Sequence, residues 1–248
     1  MGESGLRLLR DVPSLLIDNI LVVSDIHLGV LKVRDIKIIE ETITHEIEKI
    51  IHLLEKYKPA YLIINGDLKD DLGEPPRIVR RWINFFLEEL SLVNEIIIIK
   101  GNHDGKIEKT IECKNLQKIQ FTSRSIISNG GYKILILHGH QKIRNINLLC
   151  SIDLIITGHI HPAIEFIPKG PLVKVWGVFE LYLTPDLEKK VKWIVMPAFS
   201  SMLKGMSISN MTNEKISNLS PFPITPKIFK KQYLLLDLTV FEEEGDYL

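Results

Sequence analysis

The sequence has little cysteine, no net charge and no long apolar run. Its 248 residues include two cysteines, Cys113 and Cys150, which form no Cys-x-x-Cys pairing. They read as free thiols of a reducing compartment and leave no disulfide framework to build on. Lys plus Arg and Asp plus Glu both number 31. That balance gives no general argument for nucleic-acid binding, and it leaves a local basic patch open. No stretch approaches the ~18 apolar residues of a membrane span. Arg7, Arg10, Asp11 and Asp18 interrupt every apolar run near the start, so no signal-peptide core is expected. Leu6 stands where a myristoylation motif after Gly2 wants Ser or Thr. These absences predict a cytoplasmic protein that does not meet a membrane.

With 45% hydrophobic and 25% charged residues, the composition is globular, and the length suits one large domain over residues 1–248. No repeat or linker breaks it. Five short apolar runs have strand length and β-branched residues: 20–23, 61–64, 95–99, 133–137 and 153–157. Between the first two, Ile36, Ile39, Ile43, Ile47, Ile50, Ile51 and Leu54 repeat at helical spacing. Between the second and third, "PPRIVRRWINFFLEEL" opens with prolines suited to a first helical turn. This alternation predicts an α/β fold whose sheet starts largely parallel. Residues 172–197 predict an antiparallel hairpin, and its exposed edge is a candidate homodimer surface. Residues 200–230 read as a long loop before a last strand, "QYLLLDL".

The residues just after each apolar run carry the chemistry. Asp25 and His27 stand after the first, Asp67 and Asp70 after the second, and Asn102, His103 and Asp104 after the third. His138 and His140 stand after the fourth, and His159 and His161 after the fifth. Six of the 8 histidines stand at these five ends. Each motif alone is weak: Asp-x-His and Asn-Gly-Asp read more readily as turns, and Gly-Asn-His-Asp and Gly-His-x-His are more specific. All five, each after a strand, are hard to explain that way, because an open α/β sheet binds its ligands beyond the carboxyl ends of its strands. His45 and His52 fall within the first predicted helix and read as solvated residues.

Carboxylates, imidazoles and one amide form a mixed oxygen and nitrogen set without thiolate. Such a set suits Mn, Fe, Zn or Ni and argues against an all-oxygen calcium site. There are too many ligands for one ion, and two ions ~3.5–4 Å apart would use them all. One carboxylate must then bridge, and Asp67 stands between the other ligands in sequence. Two divalent ions would outweigh the carboxylates of Asp25 and Asp67, leaving a positive site suited to a phosphate ester.

Asp-x-His, Gly-Asp, Gly-Asn-His-Asp, His-Gly-His and Gly-His-x-His, in that order, resemble the five-motif signature of the calcineurin-like metallophosphoesterases over residues 21–162. The resemblance implies a four-layer α/β/β/α sandwich with mixed sheets and a dinuclear site holding two divalent metal ions, with Mn as first choice. It implies Asp25, His27 and His161 as ligands of one metal, Asn102, His138 and His159 as ligands of the other, and Asp67 as the bridge. His103 matches the histidine that meets substrate and protonates the leaving oxygen, and Asp70 the carboxylate that pairs with it. His140 is an alternative ligand to His138, and Asp104 a candidate for capping the turn. Lys32 and Arg34 are candidates for meeting phosphate, weighed against a solvated loop.

The implied reaction is phosphodiester hydrolysis by a metal-bridging hydroxide. Chain length and "MPAFSSMLKG" (196–205) resemble a compact nuclease-like branch of the family, which makes nucleic acid a candidate substrate. Lys204, Lys215, Lys227, Lys230 and Lys231 are a candidate track for its backbone, weighed against a lysine-rich loop. A phosphomonoesterase or small-nucleotide hydrolase is the alternative. An inert protein-binding scaffold is a third reading, which the retained His103 disfavours.

Overall fold

The computed structural model describes residues 5–30, 36–112, 116–129, 131–184, 187–209, 211–223 and 225–243. Lys32, Arg34 and Cys113 lie outside the described residues. One sheet holds β1 (Leu6–Leu8), β2 (Ser14–Ile17), β3 (Ile20–Val23), β4 (Tyr61–Asn65), β5 (Glu95–Ile99) and β6 (Ile119–Thr122), side by side in sequence order. β1 to β3 are antiparallel and β3 to β6 parallel. Helices α1 (Ile36–Tyr57) and α2 (Arg77–Glu89) make the crossovers that parallel pairing requires.

The second sheet holds β7 (Ser125–Asn129), β8 (Tyr132–Ile136), β9 (Leu154–Thr157), β10 (Pro162–Glu165), β11 (Leu172–Thr184), β12 (Leu187–Val195), β13 (Met206–Ser207), β14 (Lys227–Leu235) and β15 (Val240–Glu243). Its order is β13-β10-β11-β12-β9-β8-β7, with β14 joined to β11 and β15 to β14. The pair β8–β9 is parallel, and so is β9–β12. Short helices α3 (Ile107–Thr110), α4 (Ile146–Cys150) and α5 (Asn213–Leu219) lie in the connections.

Three apolar layers account for the sandwich. Leu21 and Val23, Leu62 and Ile64, and Ile96 and Ile98 face α1 and α2. Val22, Ile63 and Ile99 face the other way, against Ile134, Ile136, Ile156, Trp176 and Ile194 of the second sheet. The outer face of that sheet is covered by Leu149 of α4, Ile216 of α5 and Phe222. Strand side chains alternate between faces, so strands buried on both faces need unbroken apolar runs. That is why four isoleucines stand in succession in β5. The expected α/β/β/α sandwich with mixed sheets is the observed architecture.

Several expectations fail in detail. Ile36 is 58% exposed, and the buried face of α1 is Ile43, Ile47, Ile50, Leu53 and Leu54, together with Glu46. The expected loop at 200–230 contains α5 and the start of β14, and β15 comes after β14. Thr212 accepts from the Lys215 N–H and starts α5, a cap too short to show a helical period. The expected hairpin of β11 and β12 forms, but its edges are paired. β9 lies along β12, while β10 and β14 share the free side of β11. The candidate homodimer edge is therefore interior to the sheet. The segments of β1, β2, β6, β7 and β10 were too short or too polar to read as strands, and sheet pairing makes them so.

Burial separates two isoleucines of adjacent strands. Ile136 is fully buried between the sheets and Ile126 is 46% exposed. Ile136→Ala is expected to cost about 2–5 kcal/mol in urea unfolding, and Ile126→Ala about 0.5 kcal/mol or less. Equal losses would contradict the layer assignment.

Candidate metal centre

β3, β4 and β5 run parallel, so their carboxyl ends open on one side. β8 and β9 bring their own ends to the same place. The joined loops carry the five motifs, and the main chain stitches them together. Asp25 N–H donates to Gly66 O, His27 N–H to Asp67 O, and Leu28 N–H to Leu68 O. Gly158 N–H donates to His138 O, and Ser200 N–H to Asp25 O. A Cβ on Gly101 would stand 2.1 Å from Asp67 Oδ1, and one on Gly158 2.3 Å from Asp25 Oδ2. Glycine at these positions leaves room for a neighbouring strand's carboxylate.

Asp25, His27, Asp67, His159 and His161 all have left-handed backbone, with φ of 57°, 47°, 51°, 66° and 49°. A residue with a Cβ pays roughly 1–2 kcal/mol for that conformation. Strain of this kind collects where surrounding structure over-determines a functional geometry.

Two groups of side chains result. Asp25, His27 and His161 offer ligand atoms within 4.8 Å of one another, and so do Asp67, His138 and His159. Asp67 joins them, because its Oδ2 lies 3.4 Å from His27 Nε2 and 3.2 Å from His138 Nε2. Asp25 Oδ1 lies 2.8 Å from His161 Nε2 and 3.9 Å from each of His27 Nε2 and His138 Nε2. His103 forms a further group with His27 and Asp67. Asn102 is exposed and lines an open cavity of about 460 Å³ that His138 and His140 also border.

The donor chemistry fits metal ions. His27 Nδ1 donates to Asp70 Oδ1 at 2.9 Å, and His138 Nδ1 to the Asn65 carbonyl at 2.9 Å. Both acceptors can only accept, so each Nε2 presents its lone pair to the centre. Both Nε2 atoms are buried without a hydrogen-bond partner among the described residues. Buried nitrogens facing two carboxylates and left without a donor are what a metal ligand set requires.

Electrostatics agree. Burial pushes the Asp67 carboxyl up, but its contacts with His138 and His27 outweigh this and hold it well below the usual range. Burial also raises the Asp25 carboxyl, and the charge of His138 and the bond from His161 bring it down. Burial lowers His138, yet Asp25 and Asp67 raise it to about 9. His159 is pushed down to about 4 by burial and by repulsion from His138. Burial lowers His140 too, and His138 adds to that.

Asp70 is a correction to the sequence reading. Its carboxylate orients His27 and does not pair with His103. It is the Asp70 main-chain carbonyl that accepts from His103 Nδ1. The turn after β4 aims the carboxylate at the neighbouring motif and the carbonyl at the loop after β5. Asp104 caps that loop, accepting from the N–H groups of Asp67, Leu68 and Gly101 at 2.7, 3.0 and 2.9 Å. Asp67 Oδ1 accepts in return from His103 N–H at 2.9 Å.

Three supporting residues escaped the sequence reading. Lys69 is fully buried, and its ammonium donates to the carbonyls of Asp71 and His103. Glu46, buried in α1, accepts from the Ser201 N–H and hydroxyl and pairs with Lys49 at 2.9 Å. Lys174 donates to the carbonyls of Ala198 and Ser200, the former at 2.8 Å. Burial and Lys49 lower its pKa to about 8. Glu46 and Lys174 thus fasten "MPAFSSMLKG" beside Asp25. A charged residue inside an apolar helical face, as at Glu46, is the signal that was available. His45 and His52 are exposed, as expected. Of the candidate lysine track, Lys204 stands in the fastened segment 196–205, while Lys227 and Lys230 lie elsewhere. Lys230 pairs with Glu242 at 3.7 Å, and Lys227 lies opposite Tyr182. Tyr182 is eight residues along β11 from Lys174, roughly 25 Å at strand rise.

The pKa of His138 gives a pH prediction. At about 9 in the folded state against an ordinary 6.5, the folded protein holds this proton more tightly than the unfolded chain. The stability it contributes is complete below pH 6.5 and lost as pH rises through about 9. Melting of metal-free protein is expected to fall over that window. Binding of a divalent ion should release protons at pH 7, read by calorimetry in two buffers of different ionisation enthalpy.

Comparison with known proteins comes to the same family. The crystal structure of a nuclease, MPE, from Pseudomonas putida aligns with TM-score 0.60 and 16% identity, covering 98% of each chain. An archaeal phosphodiesterase aligns with TM-score 0.42 and 17% identity over 90% of this chain and 98% of its own. The phosphoesterase Yfce from E. coli aligns with TM-score 0.42 and 13% identity over 90% of this chain and 96% of its own. No curated protein matches the sequence. Among the described residues, no helix is long and apolar enough to cross a membrane. The calcineurin-like phosphoesterase family model matches residues 19–163, more than half of the chain, and the protein belongs to that family.

Proposed function

We propose that this family member is a dinuclear metal-dependent phosphodiesterase with nucleic acid as its substrate. One observation carries the reading: two groups of imidazole and carboxylate ligands share Asp67, with His103 beside them. Asp25, His27 and His161 would hold one ion. Asn102, His138 and His159 would hold the other, and Asp67 would bridge. Manganese is the first choice, with Fe, Zn and Ni as alternatives that the same donors accept. Divalent ions bound there supply Lewis acidity at the phosphoryl oxygens and bring the pKa of a water toward neutrality.

The chain's own part is orientation and proton transfer. His103 Nδ1 is committed to the Asp70 carbonyl, which leaves Nε2 to face substrate. His103 would give a proton from Nε2 to the leaving alkoxide, a step worth about 10²–10⁴ in rate. Lys69 holds the His103 carbonyl and so fixes where that ring stands. The nuclease that shares the fold supports nucleic acid as the substrate class.

Metal-free protein should regain cleavage of bis(p-nitrophenyl) phosphate when Mn is added back. Cleavage of the monoester alone would make the protein a phosphatase, and no turnover with any divalent ion would favour the scaffold reading. His103→Ala is expected to lower kcat about 10²–10⁴-fold with metal content unchanged. Lys69→Met should lower kcat by about 10–100-fold with KM little altered, because it acts through another residue.

A further inference from the structure

The open cavity of about 460 Å³ begins at Asn102 and His138 and extends away from the metal centre along Lys100, Lys106 and Ser123. It is large enough for a substrate fragment. Asn102, Lys100, Lys106, Ser123, His140 and Gln141 line it, with glycines between them. Among the described residues no Phe, Tyr or Trp lines it, and its rings are the imidazoles of His138, which is buried, and His140, so it lacks a broad stacking platform. Its groups are instead hydrogen-bond donors and cations, the partners that phosphate and sugar oxygens find in nucleic-acid complexes. The acids nearby are already engaged. Asp104 accepts from three main-chain N–H groups, and Glu108 pairs with Lys100 at 2.8 Å. Lys106 has no carboxylate partner among the described ion pairs.

Two further features mark this wall of the cavity. Lys106 has φ of 60°, a left-handed conformation in which glycine or asparagine would be less strained. Lys58 and Lys169 share that conformation elsewhere, so what singles out Lys106 is its place on the wall of a cavity next to the centre. His140 Nδ1 is also buried without a hydrogen-bond partner among the described residues.

We propose that this cavity is a second phosphate subsite, with Lys106 as its cation, and that it takes the sugar-phosphate neighbouring the scissile bond without reading its base. The inference rests on the phosphodiesterase reading and narrows its substrate to a chain carrying at least two phosphates. Gln141 and Ser123 supply neutral donors to the same group.

The test compares wild type with Lys106→Gly on bis(p-nitrophenyl) phosphate and on a dinucleotide with and without an added terminal phosphate at either end. Wild type should prefer a phosphorylated dinucleotide. Lys106→Gly should raise its KM about tenfold more than that of the bis(p-nitrophenyl) ester. The salt slope of oligonucleotide binding, read by anisotropy of a labelled strand, should fall by about 1. Homopolymers of different bases should bind within a few-fold of one another. Tm should not drop, because glycine adopts φ of 60° freely. A phosphate preference that survives Lys106→Gly, an unchanged salt slope, or strong base selectivity would overturn the subsite. Absent turnover of the bis(p-nitrophenyl) ester would instead count against the phosphodiesterase reading, and the anisotropy arm would still decide the subsite.

Discussion

Asp25 and Asp67 are withdrawn from water at the centre of the molecule, and the arrangement around them is a consequence of that. A buried carboxylate is costly unless charge or hydrogen bonds offset its desolvation. Here the offset comes from imidazoles: His161 against Asp25, and His27 and His138 against Asp67. The same geometry leaves imidazole nitrogens with lone pairs and no donor. Without metal, protons have to take up part of that role, which is why His138 sits at about 9. Divalent cations suit the group better than protons do, because each can draw on several donors at once.

Holding such a centre takes a frame. Five of its residues have left-handed backbone, and the loops that carry them tie into one another through main-chain hydrogen bonds. Buried polar groups complete the frame from behind. Asp104 gathers three N–H groups, Lys69 takes two carbonyls, and Lys174 takes two more. Each satisfies main-chain atoms that a loop would otherwise present to water. Loops tied this way hold their side chains in place, as a preorganised site demands.

The motif positions were legible because chemistry limits them. Few residue types bind metals, and strand ends are where an α/β sheet can present them. Asn102 and His103 could be read from the isoleucines that precede them, since a strand buried on both faces fixes the start of its loop. Asp70 was legible as part of the site but not in its pairing. A carboxylate and a carbonyl on one residue can face different neighbours, and only the path of the turn decides which. Lys69 resembled one more charge in a charged loop. Its burial depends on two loops closing over it from positions far apart in sequence.

The sequence by itself determined the alternation of strands and helices in the first half, the two-faced burial of β3, β4 and β5, and the types of residue at their ends. Those depend on local periodicity and on side-chain chemistry. Tertiary structure decided the rest. It paired the edges of β11 and β12, made strands of short polar segments, turned part of a presumed loop into α5 and β14, and drew Glu46, Lys69 and Lys174 into the frame. It also opened the cavity that Lys106 faces. These features arise from contacts between segments distant along the chain, and such contacts leave no period and no motif behind.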